Sequence, residues 1–160
     1  MFIVFSGVCI LFAGLIPIIS IVFWSRKIKM IDLDIPEKND RPFLLACAVV
    51  SYLIGTVVLL LLHAPWLVLG LILCYCTNTL IVLFITQSWK ISIHAMGVTG
   101  PATALTFATV VPGLILGILV LPVMWSRVHL HRHTLAQVLA GACLGIPLTD
   151  IQLLLIRHFY

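Results

Sequence analysis

Long apolar stretches separated by short polar ones set the rhythm of this chain. The clearest are FIVFSGVCILFAGLIPIISIVFW at 2–24 and APWLVLGLILCYCTNTLIVLFI at 64–85. About 20 such residues cross a hydrocarbon core as helix. The pattern predicts six helices, at about 2–24, 43–62, 65–87, 95–111, 113–125 and 134–156. Polar sequence interrupts them at three places: SRKIKMIDLDIPEKNDRP (25–42), QSWKISIH (87–94) and SRVHLHRHTLAQ (126–137). The other connections, LHAPW (62–66) and VVPG (110–113), are tight. The expected fold is all-α, a polytopic membrane bundle forming a single domain over 1–160.

The stretch 95–125 decides the topology. Its 31 residues are too many for one comfortable span and few for two. Pro112–Gly113 is a turn signal near its midpoint, and Pro112 lacks the N–H that a continuing helix would use. A hairpin there gives two helices of about 22 Å each. It also brings all three polar segments to one membrane face, whereas a single kinked helix would strand the third opposite the other two.

Charge agrees with the hairpin. Arg26, Lys27, Lys29, Lys38, Arg41, Lys90, Arg127 and Arg132 would share one face, with Arg157 opposite. Trp24, Trp89 and Trp125 would flank the same face as an interfacial belt, and the positive-inside rule makes that face cytoplasmic with both termini outside. Composition points the same way: 62% of residues are hydrophobic and 9% charged, which excludes an ordinary soluble domain. The net charge of +4 is small and suggests no nucleic-acid partner. No basic stretch precedes the first apolar run, which is longer than a signal core, so a retained spanning helix is expected. Cys9, Cys47, Cys74, Cys76 and Cys143 all lie in apolar runs without zinc-site spacing, as thiols packing like small hydrophobes do.

On one face, the polar segments gather Lys38, Arg41, Lys90, Arg127 and Arg132 with Ser92, His94, His129, His131 and His133. Guanidinium groups bind phosphate oxygens in a fork, and histidine serves as nucleophile or proton donor. A phosphate-bearing ligand suits this mixture.

The order Arg41–Pro42, then Ser92-Ile93-His94, then Ser126-Arg127 with His133 further on, resembles the type-2 phosphatidic acid phosphatase superfamily. These integral-membrane lipid phosphatases are relatives of the vanadium haloperoxidases, and their motifs read K-x6-R-P, P-S-G-H and S-R-x5-H-x3-D. The likeness spans essentially the whole chain, and the third motif is its most specific part. Four positions depart: Asp34 stands where the first motif has lysine, Ile91 and Ile93 replace proline and glycine of the second, and Gln137 replaces the last acid of the third. HTLAQVLAG, KISIH and DRPF look like a variant subgroup with glutamine at that place.

The resemblance implies metal-independent and cofactor-free phosphoryl transfer on a lipid phosphate or diphosphate, such as a polyprenyl phosphate or phosphatidate. It casts His133 as the nucleophile forming a phosphohistidine and His94 as the proton donor to the leaving oxygen. Arg41, Arg127, Ser92 and a lysine would hold the phosphate, with Lys38, Lys29 or Lys27 substituting for the first motif's lysine and Lys90 a further candidate. Gln137, four residues beyond His133 and so on the same helical face, would orient the imidazole. A neutral amide stabilises an imidazolium less than a carboxylate does; the corresponding Asp→Asn change in a serine protease costs about 10⁴-fold. Asp40 is a candidate to compensate.

Other readings compete. Zinc at the histidine cluster is disfavoured because His131 leaves the helical face of His129 and His133, and arginines among the ligands oppose a cation; His129 and His131 suit interfacial side chains. DLDIPEKND (32–40) invites a magnesium-dependent prenyl-diphosphate transferase or cyclase, although N-D-x-x-D-x-x-x-D is absent. A non-hydrolytic lipid-phosphate binding or transport protein would keep the pocket and lose the chemistry at Gln137. AGACLG (140–145) reads as a small-residue packing face, Asp150 as an acid near Arg157 at the opposite interface, and His63 as part of an interfacial turn.

Overall fold

The computed structural model describes residues 1–27 and 41–160. Among these residues every regular element is helical: α1 (Phe2–Cys9), a π-helical turn (Ile10–Leu15), α2 (Ile16–Lys27), α3 (Arg41–Leu61), α4 (Trp66–Ser88), α5 (Ile93–Ala108), α6 (Val110–Ile118), α7 (Val120–His129) and α8 (Leu135–Phe159). Five stretches are long and apolar enough to cross a membrane: Phe2–Arg26, Arg41–Leu61, Trp66–Ser88, Val110–His129 and Leu135–Phe159. Large aliphatic side chains such as Ile115 and Leu121 are more than half exposed. That outward apolar surface is what a membrane protein turns to lipid.

The chain forms two compact units, residues 1–87 and 88–160. In the first, α1–α2 and α3 run antiparallel. Trp24 meets Phe43 with ring centroids 4.5 Å apart, the Ser51 hydroxyl donates to the Phe12 carbonyl at 2.7 Å, and Phe5 packs with Leu59. Ser51 reaches into the ladder at the π turn, the kind of insertion that locally widens a helix. Gly55 admits the close approach of Phe12 and Ile72, whose atoms would lie 2.7 Å from a Cβ there. α4 returns antiparallel to α3: Tyr75 stacks obliquely on Tyr52 at 5.7 Å and the Cys76 thiol donates to the Val49 carbonyl at 3.7 Å.

The link between α3 and α4 is a Schellman closure. His63 N–H donates to the Leu60 carbonyl (3.1 Å) and Ala64 N–H to the Leu59 carbonyl (3.0 Å). His63 sits in the left-handed region at φ 50°, which the motif requires of the residue after the cap. Pro65 then prevents any continuation of the helix.

The second unit contains the expected reversal, at a different residue. The helix breaks at Thr109, which is extended (φ −152°, ψ 117°), and not at Pro112–Gly113. Pro112 is the third residue of α6, where the first-turn N–H groups lack intrahelical partners and proline costs little. Gly113 serves packing instead: a Cβ there would come within 2.7 Å of the Thr106 nitrogen and 3.0 Å of the Ala102 carbonyl. α6 therefore lies against the end of α5, and α7 continues back along it. The boundaries move accordingly, from the expected 95–111 and 113–125 to 93–108 and 110–129. α5, with 16 residues, is shorter than the roughly 20 that span a hydrocarbon core, while α6 and α7 together reach that length.

α8 packs on α5 through two glycines. A Cβ on Gly141 would strike the Ser92 carbonyl, and one on Gly145 the Thr99 hydroxyl. The AGACLG stretch is thus a packing face, as small residues between membrane helices usually are. Val120, Met124 and Val128, spaced by four along α7, close the unit against Ala95, Val138 and Ala142. The five cysteines are free; Cys74 and Cys76 are buried, Cys9 and Cys47 half-buried, and Cys143 is exposed.

These contacts make a graded prediction. Gly141→Val should destabilise the protein in detergent-induced unfolding by about 1–3 kcal/mol or more, because overpacking displaces backbone. Gly97→Ala, with nothing within 4 Å of the new methyl group, should instead add up to about 1 kcal/mol through helix propensity.

Candidate active site

The stretch 126–137 is two helix caps joined back to back. α7 ends in the same Schellman closure as α3: His131 N–H donates to the Val128 carbonyl (3.0 Å) and Arg132 N–H to the Arg127 carbonyl (3.0 Å). His131 occupies the left-handed position at φ 55°. α8 then starts with a capping box. Gln137 N–H donates to the Thr134 hydroxyl (3.3 Å), and Thr134 N–H donates to Gln137 Oε1 (3.1 Å). Sequence reasoning overlooked this box, although T-x-x-Q ahead of an apolar run is its signature.

The three histidines consequently have three different environments. His129, on the last turn of α7, stacks on Trp125 with centroids 4.9 Å apart and planes 9° from parallel. His131 is exposed and serves the turn. His133, the residue before the N-cap of α8, is half-buried, and its backbone N–H also closes on the Arg127 carbonyl at 3.2 Å. Among the described residues no three His, Cys, Asp or Glu side chains gather at one point.

The His133 ring is held from two directions. Its Nδ1 lies 3.2 Å from the Lys90 carbonyl oxygen and 3.2 Å from Gln137 Oε1. A backbone carbonyl can only accept, so Nδ1 carries the proton. The amide orientation is fixed independently, because Thr134 N–H needs an oxygen at Oε1. Nδ1–H in turn places the lone pair on Nε2, the form of imidazole that can attack phosphorus.

Lys90 contributes its backbone here, a part no side-chain motif reveals. The segment carrying it is anchored further by Ser92, whose N–H donates to the Gln137 carbonyl at 3.1 Å. Ser92 is fully buried and is the N-cap of α5, its hydroxyl accepting from Ala95 N–H at 3.4 Å. That capping accounts for serine at this position whether or not a ligand binds. His94, in the first turn of α5, is exposed, and Arg127 is half-buried on the last turn of α7.

The structure thus ties the second and third polar segments together at one end of the second unit, through Lys90, Ser92, His133 and Gln137. Arg41 belongs to the first unit, where it is buried at the start of α3. Lys38, along with Lys29, Asp34 and Asp40, lies outside the described residues.

Two measurements check this geometry. Ring ¹⁵N shifts of His133 in the neutral protein should report Nδ1–H, and a dominant Nε2–H form would contradict the two hydrogen bonds. His131→Gly should raise unfolding stability by up to about 1 kcal/mol: it relieves a left-handed non-glycine residue costing about 1–2 kcal/mol, less the added freedom of the unfolded chain. No family model, curated protein or solved structure matches this chain.

Proposed function

We propose that the protein is a membrane lipid phosphatase acting at the bilayer surface through a phosphohistidine at His133. The observation that carries this reading is the double anchoring of His133 Nδ1 by Lys90 and Gln137, which favours a nucleophilic Nε2. The proposed substrate is a lipid phosphate or diphosphate whose tail stays among the helices. In the first step Nε2 attacks phosphorus, the P–O bond to the lipid breaks, and His94 gives its proton to the departing oxygen. In the second, water attacks the phosphohistidine with His94 accepting a proton, and inorganic phosphate leaves.

The remaining roles follow the motif order. Within the second unit, Arg127 and Lys90 would hold the phosphate oxygens; the same role for Arg41 and Lys38 is what the motif resemblance implies. Ser92, already accepting from Ala95, would contribute at most its O–H. Gln137 holds the ring in its tautomer but supplies no charge to the imidazolium that forms, which predicts slow turnover. The capping box supplies a reason for a glutamine here, since Gln or Glu at the third helical position completes it.

The proposed topology is six crossings with the three polar segments on the cytoplasmic face of the cell membrane. Antiparallel order within each unit supports it: α1–α2, α3 and α4 alternate in the first, and α5, α6–α7 and α8 in the second. α5 would make the sixth crossing as a short helix of about 24 Å.

Phosphate release from a panel of lipid phosphates tests the reading. The wild type should release phosphate with no loss in chelator, whereas a requirement for magnesium would favour the prenyl-diphosphate transferase class. His133→Ala should abolish release and covalent labelling, while His94→Ala should retain the covalent phosphate. Absence of wild-type activity across the panel would leave lipid-phosphate binding as the surviving function. Gln137→Glu, which preserves the capping box and adds a charge beside Nδ1, should raise kcat at least about tenfold, within the roughly 10⁴-fold known for such a pair.

A further inference from the structure

The second unit contains a cavity of about 650 Å³ between α5, α6–α7 and α8, open on the side where Leu114, Ile118, Leu121 and Ile146 are exposed. Three features define its chemistry: Asp150 on α8, the threonines Thr99, Thr103 and Thr106 on α5, and Gly113 and Gly117 on the opposite wall. The rest of the lining is aliphatic, and no lysine, arginine or histidine contributes to it.

The threonines line this space from α5 and bring no free charge to it. Each hydroxyl spends its proton on its own helix: Thr99 on the Ala95 and Met96 carbonyls (3.3 and 3.4 Å), Thr103 on the Thr99 carbonyl (2.9 Å) and Thr106 on the Thr103 carbonyl (2.6 Å). Asp150 adds a carboxyl group that forms no hydrogen bond or ion pair among the described residues. The one ionisable side chain in the lining is therefore Asp150.

Asp150 also lies away from both ends of α8. It lies 15 residues beyond Leu135, about 22 Å along α8, and nine residues, about 13 Å, short of Phe159. In a spanning helix that puts the carboxyl group inside the hydrocarbon layer, where an ionisable side chain is costly and usually marks a site.

We propose that this cavity binds a lipophilic ammonium ion, with Asp150 as counter-ion and the largely aliphatic walls around the ligand's apolar body. The volume is that of a small-molecule site. A bare calcium or sodium ion fits poorly, because such ions need a shell of six or more oxygens and most of this wall is carbon. A neutral alkyl chain would leave the carboxyl group without compensation. The site is independent of His133 and does not rest on the phosphatase reading.

Equilibrium binding of radiolabelled dodecylamine to the full chain in phosphatidylcholine nanodiscs tests this, with empty nanodiscs as background and dodecanol as the uncharged counterpart. Expected are one saturable dodecylamine site per chain, at least about tenfold weaker in Asp150→Asn and retained in Asp150→Glu and His133→Ala. Gly117→Leu provides a second route: a Cβ at Gly117 meets only the Ala102 methyl at 3.8 Å, so the larger side chain fills the cavity without backbone clash and should abolish binding. Equal affinity in Asp150→Asn, equally tight saturable binding of dodecanol, or loss of binding in His133→Ala would overturn the proposal. Should Asp150→Asn not fold, unchanged binding in Gly117→Leu overturns it alone.

Discussion

The close approach of α8 to α5 is the contact on which the candidate site depends. Gly141 lies so near the Ser92 carbonyl, and Gly145 so near the Thr99 hydroxyl, that neither position has room for a Cβ. Without a hydrophobic drive between helices in lipid, such small-residue contacts and the hydrogen bonds beside them hold helices together. Here they bring the Ser92 N–H to the Gln137 carbonyl and the Lys90 carbonyl to His133 Nδ1. The imidazole is thus oriented as a consequence of helix packing.

Capping supplies the second constraint. Helix ends inside or near a bilayer have few water molecules to satisfy their orphan N–H and C=O groups. The chain meets that demand twice with the same device, a Schellman closure with histidine in the left-handed position, at His63 and at His131. At the second of these the following capping box begins almost at once, so His133 is pinned between two caps. A structural need and a chemical one coincide there. Gln137 serves both, closing the first turn of α8 and accepting from the His133 ring.

Several of these elements are readable from residues alone, and others are not. The apolar runs announce α1–α2, α3, α4 and α8 within a few residues, because nothing but lipid-facing helix tolerates so many consecutive apolar side chains. The reversal within 95–125 is legible as well, but its position is not. Pro112–Gly113 carries the usual turn signature, yet Pro112 fits the first turn of α6 and Gly113 is taken by the Ala102–Thr106 contact, leaving Thr109 to absorb the break. The histidine repeat is similarly ambiguous in sequence, since spacing of two treats His129, His131 and His133 alike.

The sequence by itself determined the apolar, helical character of the chain and the order of its polar segments, properties that depend on local hydropathy and travel with the residues. The pairing of His133 with Gln137 was implied only by the resemblance of the third polar segment, and the structure makes that contact from a residue ahead of the α8 N-cap rather than from one helical face. Only the tertiary structure decided that a Lys90 carbonyl, not a side chain, completes the hold on His133, and that Ser92 is spent on capping α5. It also decided that Asp150 shares a cavity with threonines nearly fifty residues away. These depend on how closely two helices approach, and that distance is set by the glycines between them.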